Sequence, residues 1–256
     1  WAVFLGIPEL DPTAARWALV TGLPLTLLAL APLAFMREKP VALVESFRDL
    51  VALRNVVHGG IIARLTLLGL LVGTGFGLTV RFFNVFFQDA RGATDGQVGS
   101  ILALGALASA GSILISPVLA QQWGKAKSIL ITQALSVPAL LLMAAAPSLS
   151  VVTVFFLVRG ATYSIGQPLR NQLSMEFITA KERGTTAGFT HTAFDLGGGV
   201  GAGLAGFLIA GGGFVPAFAL AAILILIPAV CYYVFFAGLE GRRRAPVLVP
   251  AGATGG

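Results

Sequence analysis

The sequence predicts an all-α integral membrane protein, and three observations carry that prediction. Hydrophobic residues make up 56% of the 256, mean hydropathy is +0.88, and only 11% of residues are charged. Soluble domains carry about 25% charged residues, so a water-soluble fold is excluded on composition alone. Apolar runs of about 18 or more residues, long enough to cross a bilayer as a helix, recur seven times. Lysine and arginine collect in every second connection between those runs.

The elements follow in chain order. Residues 1–7, opening on Trp1, read as the end of a span cut away, which sets the expectation of a fragment; residues 17–36 form the first full span. Together they make up the stretch 1–36 that precedes the long connection. The connection 37–60 is the longest. Within it Val44, Phe47 and Val51 share one helical face, while Glu45, Arg48 and Asp49 lie off it. Residues 41–53 therefore read as an amphipathic linker helix, either lying on the membrane surface or free of lipid. Six spans follow at 61–87, 98–120, 128–146, 149–177, 185–210 and 214–236, making a six-helix bundle over 61–238. Short turns at 89–96, 147–148 and 211–213 join pairs of them, and 239–256 reads as a disordered tail.

Charge gives the direction. Arg37, Lys39, Arg48, Arg54, Arg64, Lys125, Lys127, Arg170, Lys181, Arg183 and the run Arg242, Arg243, Arg244 all fall on one side. Arg16 and Arg91 fall on the other, with Arg81 and Arg159 inside spans. The positive-inside rule makes the rich side cytoplasmic and places the C-terminus there. The +6 net charge is thus a signature of topology in an inner or plasma membrane rather than of nucleic-acid binding. The single cysteine, Cys231, excludes an internal disulfide framework, and His58 and His191 are too few for a histidine metal cluster. No cofactor is expected. Ser109, Ser112 and Ser116 form a small-residue stripe without a base nearby in sequence, so no enzyme chemistry is expected either.

The six spans divide into two triplets. The first member of each (61–87, 149–177) carries the strongly polar residues, the second (98–120, 185–210) is rich in glycine, alanine and serine, and the third (128–146, 214–236) is bulky and apolar. Internal three-helix repeats are a mark of secondary transporters. Between the second and third of the six spans stands Pro117-Val118-Leu119-Ala120-Gln121-Gln122-Trp123-Gly124-Lys125-Ala126-Lys127. In that stretch Leu119, Gly124 and Lys125 match the loop pattern of the major facilitator superfamily, while Gln121 and Gln122 replace its Asp-Arg and Pro117 its leading glycine. Lys181-Glu182-Arg183-Gly184, followed by Gly188 and the run 197–199, is similar to that family's connection between spans ten and eleven. In order and spacing the chain resembles the family's C-terminal half, spans seven to twelve, with 17–36 as span six and 1–7 as the end of span five.

The resemblance implies a secondary active transporter working by alternating access, with proton coupling and efflux as the favoured direction. Its implied partners are a small-molecule substrate, protons, the lipid bilayer and the missing N-terminal six-helix half. It also implies that spans seven and ten line a central cavity. Proton-coupled uptake of an anionic or polar solute, and a non-transporting sensor or assembly protein of the same fold, are the alternatives.

Candidate site residues come from the polar stripes. Thr74, Gly77, Arg81, Asn84 and Gln88 recur every three or four residues in span 61–87, and Arg159, Tyr163, Gln167, Arg170 and Ser174 do so in span 149–177. Of these, Arg81, Asn84, Gln88, Arg159, Tyr163 and Gln167 are the substrate-cavity candidates. Span 185–210 adds His191 and Asp195, four residues apart, as proton-coupling candidates. A charge at the bilayer centre costs about 2.5–3.5 kcal/mol or more. Arg159 and Asp195 reach similar depths on consecutive spans, so contact between them is expected. Either Asp195 exchanges a proton, assisted by His191, with Arg159 tuning it or holding an anionic group, or Arg159 and Asp195 form a permanent ion pair that locks two helices. Gly197/Gly201 and Gly199/Gly203 are small-xxx-small pairs of the kind that lets helices approach closely.

Overall fold

The computed structural model describes residues 57–244, together with Val20, Pro24, Leu27 and Leu28, which are helical. The stub at 1–7, most of the span at 17–36, the amphipathic stretch 41–53 and residues 245–256 of the predicted tail lie outside the described residues. Six described helices are long and apolar enough to cross a membrane: α1 (Gly59–Ala90), α2 (Asp95–Ile113), α4 (Lys125–Ala145), α5 (Leu149–Glu176), α6 (Arg183–Gly212) and α7 (Phe214–Arg244). The short helix α3 (Ser116–Trp123) sits between α2 and α4. No strand occurs among the described residues. The fold is the all-helical membrane bundle that the composition dictates, because in lipid each segment must satisfy its own backbone hydrogen bonds.

Three boundaries differ from the sequence prediction for physical reasons. The single span expected at 98–120 is two helices. Pro117 has no N–H to donate and enters at the start of α3, where a missing donor is tolerated. The last helix runs past the predicted boundary at 238 to Arg244, because its Glu240 is tied to α4. Finally, α1 is not uniform. It is α-helical to Thr79, tightens to a 3₁₀ turn at Val80–Phe82, and widens to a π turn at Phe86–Ala90.

Packing follows the triplets. The main contacts of α1 are with α6 and α7; those of α5 are with α2 and α4; and α4 packs on α7. Exchanging the first triplet (α1, α2–α3, α4) with the second (α5, α6, α7) maps α1·α6 onto α5·α2, maps α1·α7 onto α5·α4, and leaves α4·α7 in place. The three-plus-three division read from composition is therefore also a division of contacts.

The two ends of the bundle are held differently. At the end poorer in lysine and arginine, Phe83, Phe86 and Phe87 of α1 meet Phe156 of α5 and Phe218 of α7. Ring centroids are 5.1 Å apart for Phe83–Phe156 and for Phe86–Phe218. Arg91 closes the nearby turn by donating to the Ala144 carbonyl (2.7 Å), and Thr94 and Gln97 form a capping box that starts α2. At the basic end carboxylates do the tying. Glu182 Oε1 accepts from the Val57 and His58 amides (2.7 and 3.2 Å), and its Oε2 meets His58 Nδ1 (2.8 Å) and accepts from the Thr179 hydroxyl (2.7 Å). Glu240 accepts from the Lys125 and Ala126 amides (2.7 and 3.1 Å), and Lys125 Nζ pairs with Glu176 (2.8 Å). Both Glu182 and Glu240 thus cap the free amides at the start of a helix in the other triplet. Between α3 and α4, Gly124 adopts φ +88°, the left-handed region that favours glycine, which accounts for the glycine of the loop pattern.

Candidate functional site: a cationic cavity between α1, α5 and α6

A cavity of about 230 Å³ opens within the bundle. Its polar wall is α5, through Tyr163, Gln167, Arg170 and Asn171; Thr190 and His191 of α6 stand opposite, and Gly69 and Val72 of α1 and Tyr232 of α7 complete it. The wall is polar because 163, 167, 170, 171 and 174 recur at helical spacing on α5. Pro168 lies within that stretch, yet α5 is helical throughout Leu149–Glu176. The Ile165 carbonyl, three residues before Pro168, accepts from Ser116 of α3 (2.9 Å). Among the described residues no carboxylate lines the cavity, while an arginine and a histidine do.

Tyr163 organises the arginines. Its ring lies under two guanidinium groups, with Arg170 5.1 Å and Arg159 5.2 Å from the ring centroid. Arg170 is half-buried and lines the cavity. Arg159 is only 4% exposed. It contacts the Phe83 ring (5.1 Å), donates to the Thr79 hydroxyl (3.4 Å), and leaves its Nε without an acceptor.

The sequence candidates separate accordingly. Tyr163, Gln167 and His191 come together in the cavity. Arg159 lies behind Tyr163, outside the lining. Arg81 and Asn84 are exposed, and a Cβ added at Gly198 of α6 would lie 3.7 Å from Arg81 Nη2. Gln88 donates to the Asp95 carboxylate and so bridges α1 to the start of α2. The α1 stripe does not line the cavity as a unit. Gly73 and Gly77 face the α6 backbone instead, and the 3₁₀ and π turns rotate Arg81, Asn84 and Gln88 away from a single helical register.

The expected Arg159–Asp195 contact does not form. Asp195 is exposed, and no ion pair to it occurs among the described residues. Consecutive helices need not be packed helices. The glycine face of α6 is turned onto α1, and α5 spends its contacts on α4 and α2, so α5 and α6 barely touch.

Sequence reasoning placed Arg170 and Ser174 in a stripe but did not carry them into the site. It missed Asn171, Thr190 and Tyr232, which line the cavity as well. Tyr232 carried a signal, a hydroxyl in an otherwise bulky apolar span, and its nearly complete burial (3%) gives that hydroxyl a place in the bundle.

A family model for the Major Facilitator Superfamily matches the chain over residues 9–198 and again over 65–254. The chain belongs to the major facilitator superfamily. No curated protein matches it. Membership makes it an integral membrane protein of a transporter family, and the six spans and their paired triplets are that family's architecture.

Proposed function

We propose that the protein is a secondary active transporter moving a small solute by alternating access, with the six described spans as the C-terminal half of the superfamily's transport unit. The observation that supports this reading is the polar cavity itself. In a bundle this apolar, a wall of Tyr163, Gln167, Arg170, Asn171 and His191 on membrane-spanning helices is expensive to maintain unless a solute or water uses it. The basic end faces the cytoplasm by the positive-inside rule, which puts the C-terminus inside an inner or plasma membrane.

Proton coupling rests on α6. Asp195 is one turn from His191, exposed, and without an ion pair among the described residues. A carboxylate not locked to a cation can take up and release a proton. Export is the working direction, carried from the family resemblance. Uptake of an anionic or polar solute is the second reading, favoured by the cationic lining.

Flux in proteoliposomes under an imposed proton gradient tests both. Asp195→Asn should abolish gradient-driven accumulation while leaving solute exchange at equal pH intact. Unchanged accumulation would remove Asp195 from the coupling role, and an absence of any solute flux in the native protein would remove the transporter reading.

A further inference from the structure

Two arginines without a carboxylate partner meet one aromatic ring inside the bundle. Arg170 faces the cavity, and Arg159 is buried outside its lining against the same Tyr163 ring, with a hydroxyl at 3.4 Å and the Phe83 and Tyr163 rings as partners. Neither guanidinium is paired with an acid among the described residues. A buried charge is normally paired, and leaving one unpaired is strongly destabilising. Stacking on Phe83 and Tyr163 recovers part of that, since a desolvated cation is attracted to a ring face. The unfilled Nε donor and the missing counter-charge remain.

We propose that Arg170 and Arg159 are successive stations for the carboxylate of one small organic anion, with the Tyr163 ring as the partition between them. The anion enters the cavity and pairs with Arg170, whose planar fork suits a carboxylate. Its apolar body lies against Val72, Phe194 and Tyr232. When Tyr163 turns, the carboxylate passes to Arg159 and supplies a counter-charge that the described residues do not. Benzoate, a compact aromatic carboxylate, fits the roughly 230 Å³ that the described helices enclose and serves as the probe. The proposal rests on the transporter reading for its biological direction, but it is tested by binding alone.

The full-length protein in detergent is titrated with benzoate, and with benzamide as the neutral isostere, while melting temperature is followed. Benzoate should stabilise the native protein and benzamide should not. Arg170→Gln should weaken benzoate binding by about tenfold or more, the loss of one charge-assisted contact, with Arg170→Lys retaining part of it. Equal stabilisation by benzamide, or undiminished benzoate binding in Arg170→Gln, overturns the first station.

The second station is read by phenylglyoxal labelling of arginine, mapped by mass spectrometry. Arg159 should be protected in the native protein and in Tyr163→Phe. It should become reactive in Tyr163→Ala, and benzoate should then protect it; Tyr163→Leu replaces Tyr163→Ala if the latter does not fold. Reactivity of Arg159 that benzoate does not change overturns the second station. Proteoliposome flux is measured in parallel. Benzoate binding that depends on Arg170, with no flux of benzoate, supports the site while removing benzoate as a transported solute, and the transporter reading falls only if no solute moves.

Discussion

The bundle contains two seams related by its internal repeat, α1·α6 and α5·α2, and they are built on different principles. In the first, glycines meet backbone. A Cβ added at Gly73 would overlap the Phe194 carbonyl, one at Gly77 the Gly198 carbonyl, one at Gly197 the Leu70 carbonyl, and one at Gly201 the Thr74 carbonyl. In the second, a glycine meets a side chain. A Cβ on Gly105 would lie 2.5 Å from Phe156 Cε1, and one on Gly160 would lie 3.4 Å from the Ser109 hydroxyl. Without a hydrophobic drive between helices in lipid, close approach at small residues supplies much of the association. A backbone–backbone seam has one geometry, whereas a seam cushioned by a ring can adjust. The repeat has therefore produced one rigid pair and one adjustable pair from the same helix plan.

The largest effect that would sharpen this contrast is alanine at the first seam. Gly73→Ala or Gly201→Ala must push α1 and α6 apart, because a carbonyl cannot rotate away. Overpacking of this kind costs about 1–3 kcal/mol and more where nothing can move. Each variant should lower the melting temperature in detergent sharply and reduce folded yield. Wild-type melting for both would mean that the α1·α6 seam is as adjustable as its counterpart.

Next in size is Gly105→Ala. Here the obstacle is the edge of the Phe156 ring, which packs on Phe83 and Phe87 at 5.1 and 5.2 Å and must shift with it. The expected loss is at the low end of the overpacking range, about 1 kcal/mol. The double variant Gly105→Ala/Phe156→Leu should recover part of it, since the ring is what the methyl meets. A drop as large as that of Gly73→Ala would erase the distinction between the seams.

The rigid seam also has a carboxylate latch, which its counterpart lacks among the described residues. Glu182, at the head of α6, holds the start of α1. Its hydrogen bond to His58, then that to Thr179, then those from the two amides hold its carboxyl pKa down at about 2, from an ordinary 4.5. The folded protein thus favours the ionised form. The stabilisation is complete above pH 4.5 and is lost as pH falls through about 2. Glu182→Gln should lower the melting temperature at pH 7, and its difference from the native protein should shrink between pH 4.5 and pH 2. A constant difference across that window would show that the charge on Glu182 does not hold the latch.

These contrasts mark how far the sequence could be read. The spans were legible because hydropathy and basic residues report directly on lipid and topology. The break at Pro117 was legible in principle, from the missing N–H. The run of α7 to Arg244 was not, because it depends on Glu240 reaching α4 across more than a hundred residues of chain. Helical spacing alone places Tyr163, Gln167 and Arg170 of the α5 stripe on one face, where they line the cavity, while Arg159 of the same stripe does not. The Arg159–Asp195 contact failed because it assumed that consecutive helices touch. The glycines of α1 had already given that face of α6 to another partner.

The smallest expected effect separates the two glycine pairs of α6, which look alike in sequence. Gly197 and Gly201 are buried in the rigid seam, whereas Gly199 and Gly203 are exposed, and a Cβ on either meets nothing within 4 Å. Alanine at an open mid-helix position is favoured over glycine by about 0.5–1 kcal/mol through backbone entropy. Gly199→Ala and Gly203→Ala should therefore leave the melting temperature unchanged or slightly raised, against the collapse expected for Gly201→Ala. Flux measured on the same two variants carries the contrast further. If melting holds while flux falls, the open pair faces a surface that closes on α6 only during transport. If both hold, the rigid seam alone accounts for why α6 carries so many glycines. A drop in melting temperature for either variant would mean that this face is already packed, and the division of α6 into a seam side and an open side would fall.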